Sequence, residues 1–431
     1  MNYKVLLITS YFPPIGGAGV YRWYHFVKNM ADKVDFYVLT RGIETGEPED
    51  FSLSDTINKI KVIEKITPLS PGTVIKRIKP YIKYFTGKKI GNDDSNNGRI
   101  SRLQPYFQFP DQRIAEIPKL ILKGRKITND NPPDLIVVTA PHYSYILAAL
   151  KLKKIMKIPL IIDLRDPWTI NPLFKFPNEF YKKINDKFEE KSFEIADAIV
   201  VVSDNIKNEY VKKYPLYMSK FKVIYNGYDE ETINLKGKAD KTDNRQEKIL
   251  AYTGTLYKNR DPEPVFKGVS EFFKRYKDEY KLKIYFVGEL KPPWDKKFDY
   301  LIKKYSLQGR VVHKEYMSHL KLLEFLENTD GLINIAGDYM SGITGKIFEY
   351  LVLNKPLIVY DELRSDSYKF LKNIGAEFYT IDSEDDMVKV LVDLSGNRLK
   401  SPNVVDKIEK FSRRKLSEEM FALMEEIIEN R

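Results

Sequence analysis

What most constrains the fold of this chain is a rhythm. Short apolar runs recur along it, each bounded by turn residues, and several are separated by stretches of helical period. Lys4–Thr9 (KVLLIT), Val34–Leu39, Asp134–Thr139 (DLIVVT), Pro159–Asp163 (PLIID), Ala198–Ser203 (AIVVVS) and Lys222–Tyr225 (KVIY) read as strands, with helical patterns at Tyr145–Met156 and Glu179–Ile195. Continuous apolar strands that alternate with helices belong to a parallel sheet covered on both faces. A polar, charged stretch from Glu231 to Gln246 reads as a linker, after which the rhythm restarts. Strands are expected at Ile249–Thr253, Lys283–Val287, Val311–Lys314, Gly331–Ala336 and Leu357–Tyr360, with helices near Glu263–Tyr276, Phe298–Tyr305, Leu320–Glu327 and after Gly345. Two doubly wound α/β halves facing each other across a cleft follow, over residues 1–235 and 236–409. At the end, Leu416, Met420, Leu423, Met424 and Ile427 form an apolar helical stripe that must be buried, and residues 410–431 are expected to return to the first half.

The 431 residues are 43% apolar, enough for two cores, and include no cysteine, which excludes disulfides, thiolate zinc sites and thiol catalysis. The chain opens on a strand pattern rather than a signal peptide, and no apolar run reaches bilayer-spanning length, so a cytoplasmic location is expected. Lys plus Arg exceed Asp plus Glu by 71 to 60, a formal charge of +11 that favours anionic partners. Seven of these bases lie between Lys65 and Asn92 with no acidic residue, interleaved with Ile75, Ile78, Tyr81, Ile82, Tyr84 and Phe85. Cations with interfacial aromatics suit the surface of an anionic membrane, at its inner face, and equally suit a solvated basic loop. Nucleic acid is not expected, because none of its usual binding motifs appears.

The stretch Gly342–Pro356 (GITGKIFEYLVLNKP) carries the clearest chemistry. A glycine turn before a helix leaves N–H groups pointing off the helix start, where a phosphate can sit. Lys346 adds a full charge there, and Glu349, one turn on, offers a carboxylate suited to the paired hydroxyls of a ribose. Ordinary α/β packing would produce the same pattern. It is not a Walker loop, because Met340 stands where that motif needs its first glycine. The opening loop, Ser10–Arg22 (SYFPPIGGAGVYR), places Gly16, Gly17 and Gly19 before a helix starting near Val20, but Arg22 occupies the third glycine of a dinucleotide fingerprint, so no bound NAD is expected. Asp163, Arg165 and Asp166 stand at a strand tip, where they are candidates for a ligand crevice or for a self-satisfied ion cluster. Glu44 to Asn131 reads as irregular.

With these residues in view, the sequence resembles the GT-B glycosyltransferases, in particular the large retaining family numbered four. YFPP with GG and Arg22, TAPHYS at Thr139–Ser144 followed by Asp163–Trp168, VVVSD at Val200–Asp204, VIYNGYD at Val223–Asp229 and GKIFEY at Gly345–Tyr350 fall in the family's order over nearly the whole chain. The second of these looks like a subgroup acting on bacterial surface polysaccharides. The resemblance implies that Gly254 and Arg260, with Lys346, serve a donor diphosphate, Arg260 standing where most relatives carry lysine. It implies that Glu349 binds the nucleotide ribose. Ser341 replaces the first of the family's two glutamates, which relatives place near the donor sugar.

The implied activity is retaining transfer from a nucleotide sugar to a lipid-linked or polysaccharide acceptor. The leaving diphosphate gains charge in the transition state, so fixed cations and N–H groups lower the barrier most. Arg260, Lys346 and Asp166 are the catalytic candidates. Gly16, Gly17, Gly254, Ser341, Gly342, Gly345 and Glu349 join the two cations as donor-binding candidates, and Asp163, Arg165 and His142 lie on the acceptor side. No metal or other cofactor is expected, since no Asp-x-Asp pair stands at a strand end and only four histidines are present. A sugar-nucleotide-binding protein without transfer activity and a nucleotide-sugar epimerase are the alternatives.

Overall fold

The structure, a computed structural model, describes residues 2–68, 109–230, 247–277, 279–337, 342–361 and 364–430. Two compact units emerge, one of Met1–Ile224 with Ser417–Arg431 and one of Tyr225–Leu416. The sequence placed these divisions at 235/236 and 409/410. The linker read over 231–246 lies outside the described residues, as does the 69–92 part of the basic segment.

The first unit is built on seven parallel strands: β1 (Tyr3–Ile8), β2 (Val34–Arg41), β3 (Val62–Ile66), β4 (Leu135–Ala140), β5 (Leu160–Leu164), β6 (Ala198–Val201) and β7 (Phe221–Val223). Their order is β3-β2-β1-β4-β5-β6-β7. Val5 pairs with Phe36 on one side and Leu135 on the other, so the winding reverses between β1 and β4. Ligands of such sheets bind beyond the strand ends at that reversal. The helices used below are α1 (Ala18–Met30), α2 (Ile117–Asp130), α3 (Tyr143–Met156), α4 (Glu179–Ile195) and α5 (Asp204–Lys213). Every residue of β4 and β5 is buried, which is why both strands read as unbroken apolar runs.

One expectation fails here. The stretch read as irregular from Glu44 to Asn131 contains a 3₁₀ turn at Phe51–Lys59, the edge strand β3 and the helix α2. β3 (VIEKI) hid because an edge strand carries polar residues, and α2 because Pro118 and Gly124 interrupt its pattern. Gly124 is there for packing: a Cβ would lie 2.7 Å from Leu152 of α3.

The second unit repeats the plan with β8 (Glu247–Thr253), β9 (Lys281–Val287), β10 (Val311–Lys314), β11 (Gly331–Ile335), β12 (Leu357–Tyr360) and β13 (Tyr379–Thr380), in the order β10-β9-β8-β11-β12-β13, again parallel. Its helices are α6 (Glu263–Tyr276), α7 (Trp294–Lys304), α8 (His319–Glu327), α9 (Gly345–Leu353), α10 (Asp366–Asn373) and α11 (Glu384–Ser395). Its reversal falls between β8 and β11, whose ends lead into Gly254 and toward α9. One face of the sheet packs Phe266, Phe286 and Phe298 with Met387, the other Ile347, Leu351 and Phe348 with Phe411. The last helix, α12 (Arg413–Glu429), starts in the second unit and ends in the first. Leu416, Met420, Leu423 and Met424 of its stripe are buried. Among the described residues no helix is long and apolar enough to cross a membrane.

Candidate active site

α9 starts without a side-chain cap, as do α8 and α10 on either side of it. Asn178, Ser203 and Ser383 cap α4, α5 and α11 by accepting a bond from a first-turn N–H, whereas Thr344 offers α9 no side-chain cap. Thr344 Oγ1 is buried and has no hydrogen-bond partner among the described residues. The N–H of Ile347 bonds back to Thr344, but those of Gly345 and Lys346 make no backbone bond among the described residues. Two donors thus face outward from a helix N-terminus, which carries partial positive charge.

Two cations converge on this end. Lys346 Nζ stands 4.2 Å from the centre of the Tyr252 ring and 3.4 Å from the Thr253 carbonyl. Burial, and then the neighbouring Arg260, hold its pKa well below the ordinary lysine range. Arg260 is half-buried, donates to the Thr255 carbonyl at 3.2 Å and lies over Tyr257. Among the described residues neither cation has a carboxylate partner. Tyr350 fixes α9 against β8 by accepting from Thr253 N at 3.0 Å and sharing a 2.8 Å bond with Thr253 Oγ1. Beside them, Gly254 and Gly288 pass so closely that a Cβ on Gly288 would lie 2.8 Å from the Gly254 backbone.

Glu349 lies on the same helix, 9% exposed, and accepts a 3.3 Å bond from Arg413 through Oε1. Its Oε2 makes no hydrogen bond among the described residues. Arg413 was not found by sequence reasoning, because it lies 64 residues from its partner in no motif. Asp366 was missed for the same reason: its carboxylate accepts from Gly342 N at 2.7 Å. That bond corrects one expectation, since the Gly342 N–H is committed to Asp366; the glycine's contribution is its left-handed φ of 99°. Ser341 lies outside the described residues.

The first unit revises more of the reading. Asp163 is fully buried, bonded to Arg22 at 2.9 Å, Trp23 Nε1 at 2.7 Å and Thr139 at 3.0 Å. It is the self-satisfied member of its cluster, buried and bonded on three sides. Gly16 donates its N–H to Pro48 at 2.7 Å and is likewise spent. Gly17, at φ 97°, turns the chain into α1 with open space around it. Arg165 donates to the Gly19 carbonyl and covers the Tyr11 ring, while Asp166 is exposed and 3.6 Å from Arg165.

His142 follows β4, stacked on Tyr11 with ring centres 5.7 Å apart and its Nε2 3.4 Å from Gln112. Burial first, then Arg113, Arg41 and Arg165, push its pKa down to about 3, so the ring is neutral at physiological pH. It lines a cavity of about 300 Å³ with Gln112, Phe174, Lys175, Phe176 and Tyr181. Asp111, at the same wall, is committed to the start of α3 through Ser144 N and Oγ at 2.9 and 2.7 Å. Sequence reasoning missed this wall because Phe174, Phe176 and Tyr181 fall in no motif, and Gln112 and His142 join them from distant parts of the chain.

Two parallel doubly wound sheets, the second with an uncapped, doubly cationic helix start beyond its reversal point, define a protein of the GT-B class. Solved structures agree on the fold. HepE from Anabaena, in complex with UDP and glucose, has a TM-score of 0.66 at 12% identity, over 99% of this chain and 100% of that one. Sucrose-phosphate synthase from Thermosynechococcus elongatus has a TM-score of 0.65 at 12% identity, over all of both chains. The lipopolysaccharide outer core galactosyltransferase WaaB has a TM-score of 0.55 at 13% identity, over 97% of this chain and 98% of that one. No curated protein sequence matches. Residues 15–232, just over half of the chain, match the model of Glycosyltransferase Family 4. The chain belongs to that glycosyltransferase family.

Proposed function

We propose that the protein transfers a sugar, with retention of configuration and without a metal, from a nucleotide-diphosphate donor to a lipid-linked or polysaccharide acceptor of the cell surface. The observation that carries this reading is the start of α9. Gly345 N, Lys346 and Arg260 present positive charge and N–H donors with no anion among the described residues to balance them. A leaving diphosphate meets that need, and its charge grows in the transition state where such groups act most. Glu349 Oε2 is left to accept from the ribose. A UDP-linked donor is favoured because HepE has been seen with UDP-glucose.

In the retaining route the acceptor attacks from the face the leaving group departs, and a phosphate oxygen takes its proton, so no protein nucleophile is required. The acceptor side falls to the first unit. There the cavity beside His142 offers aromatic faces for an apolar sugar face, with neutral His142 and Gln112 as hydrogen-bonding groups. WaaB, a lipopolysaccharide galactosyltransferase, favours a surface glycan as acceptor. The basic segment 65–92 would add attraction to anionic lipid, placing the protein peripherally at the inner membrane face.

The test is incubation with UDP-, GDP- and ADP-sugars with and without membrane extract as acceptor. Sugar transfer, or slow donor hydrolysis, is expected. Tight binding with no turnover would favour a non-catalytic binder, and isomerised donor without acceptor an epimerase. Sedimentation with vesicles tests the membrane part: anionic vesicles should carry the protein down and neutral ones should not.

A further inference from the structure

From the pairing of Glu349 with Arg413, we infer that Arg413, the first residue of the last helix, is a positioning residue that sets the ribose specificity of the donor site. The inference rests on the proposed role of Glu349 and deepens it. Both side chains are nearly buried, Arg413 at 6% and Glu349 at 12% exposure, so their 3.3 Å contact is little screened. A buried carboxylate without a partner tends to turn toward water. Held through Oε1 by the Arg413 guanidinium, Glu349 keeps Oε2 in one direction.

Arg413 is itself held. Its N–H donates to Tyr228 O at 2.8 Å, and Tyr228 N donates to Phe411 O at 3.1 Å, tying residues 411–413 to the segment that opens the unit. Phe411 packs edge-on or tilted against Tyr225, Phe348 and Phe370 with ring centres 4.9–5.3 Å apart, and Phe348 is the neighbour of Glu349 on α9. Asn226 in the same segment reaches the Ile343 carbonyl at 3.4 Å, just ahead of the helix start. The C-terminal end of the unit therefore backs the helix that faces the nucleotide, and its cation is the part that touches the functional carboxylate.

A role confined to folding would not alter which ligands are preferred, so the test compares UDP with 2′,3′-dideoxy-UDP by calorimetric titration. Wild-type protein should prefer UDP by about tenfold or more, the worth of a hydrogen bond to a charged group. Arg413→Ala should reduce that ratio several-fold toward one, and Arg413→Lys should restore part of it; a melting curve of each variant reports any loss of folding separately. An Arg413→Ala protein that stays folded and keeps the wild-type ratio overturns the inference. If wild-type protein binds UDP without preferring it over the dideoxy analogue, Glu349 is not a ribose partner and the inference falls with that role. Failure of wild-type protein to bind UDP, GDP or ADP would defeat the proposed function itself and the inference with it.

Discussion

Lys346 is kept by its surroundings at a pKa well below that of a free lysine, with burial the main cause and Arg260 the second. An anion placed beside it favours the ammonium, so its pKa must rise on binding. Binding of UDP should therefore take up protons, and affinity should fall as pH rises above the free-state pKa; titration calorimetry in buffers of different ionisation enthalpy reads this, and zero uptake across that range would contradict it. Arg260→Ala should lower turnover by roughly 10² or more with a small effect on melting, as expected for a group acting on transition-state charge. His142 obeys the opposite side of linkage. Folded, its pKa is about 3; unfolded, about 6.5. Its stabilising contribution is complete above about 6.5 and is lost as pH falls toward 3, amounting to about 2 kcal/mol at pH 5. Thermal melts at pH 7 and pH 5 should show a smaller loss for His142→Gln than for the wild type. Residue types were legible in the sequence where a short motif carried them, as for Lys346 and Glu349. They were not legible where the partner is remote: nothing near Asp163 says that Arg22, Trp23 and Thr139 will seal it, and nothing near Glu349 points to Arg413.

Elements were more readable than side-chain roles, for a physical reason. β4, β5 and β8 are buried and so apolar throughout their inner parts, and α4 and α6 run Glu179–Ile195 and Glu263–Tyr276, where helical period alone placed them. Edge strand β3 and helix α2 escaped because an edge tolerates Glu64 and Lys65 and because Pro118 and Gly124 break the period. The join between residues 226–229 and 411–413 was also invisible, since it depends on backbone hydrogen bonds and a close approach between residues remote in sequence. Gly227, at φ 65°, has the Phe411 carbonyl 2.4 Å from where a Cβ would be. Gly227→Ala should cost roughly 2 kcal/mol or more, from strain and collision together. A denaturant midpoint equal to that of the wild type would show that the join yields without cost.

At the scale of the molecule, the repeated rhythm announced two α/β units, and the family match supports what the order of motifs implied. Where the chain changes unit was harder to read, because the second change occurs inside α12 at 416/417, with no break in its helical pattern. Within the first unit, residues after that point bring Ser417 to Asn29 at 3.1 Å and Phe421 to the Tyr3 ring at 6.2 Å. A chain ending at Leu416 should melt several degrees lower, because the first unit loses Met420, Leu423 and Met424 from its buried surface. The central claim is that the start of α9 grips a nucleotide diphosphate. A crystal structure of the protein with UDP tests it most directly. Phosphate oxygens are expected within about 3.2 Å of Gly345 N or Lys346 N and of the Lys346 and Arg260 side chains, with Glu349 Oε2 on the ribose hydroxyls. UDP bound with its phosphates away from that helix end, or with Glu349 turned from the ribose, would contradict it.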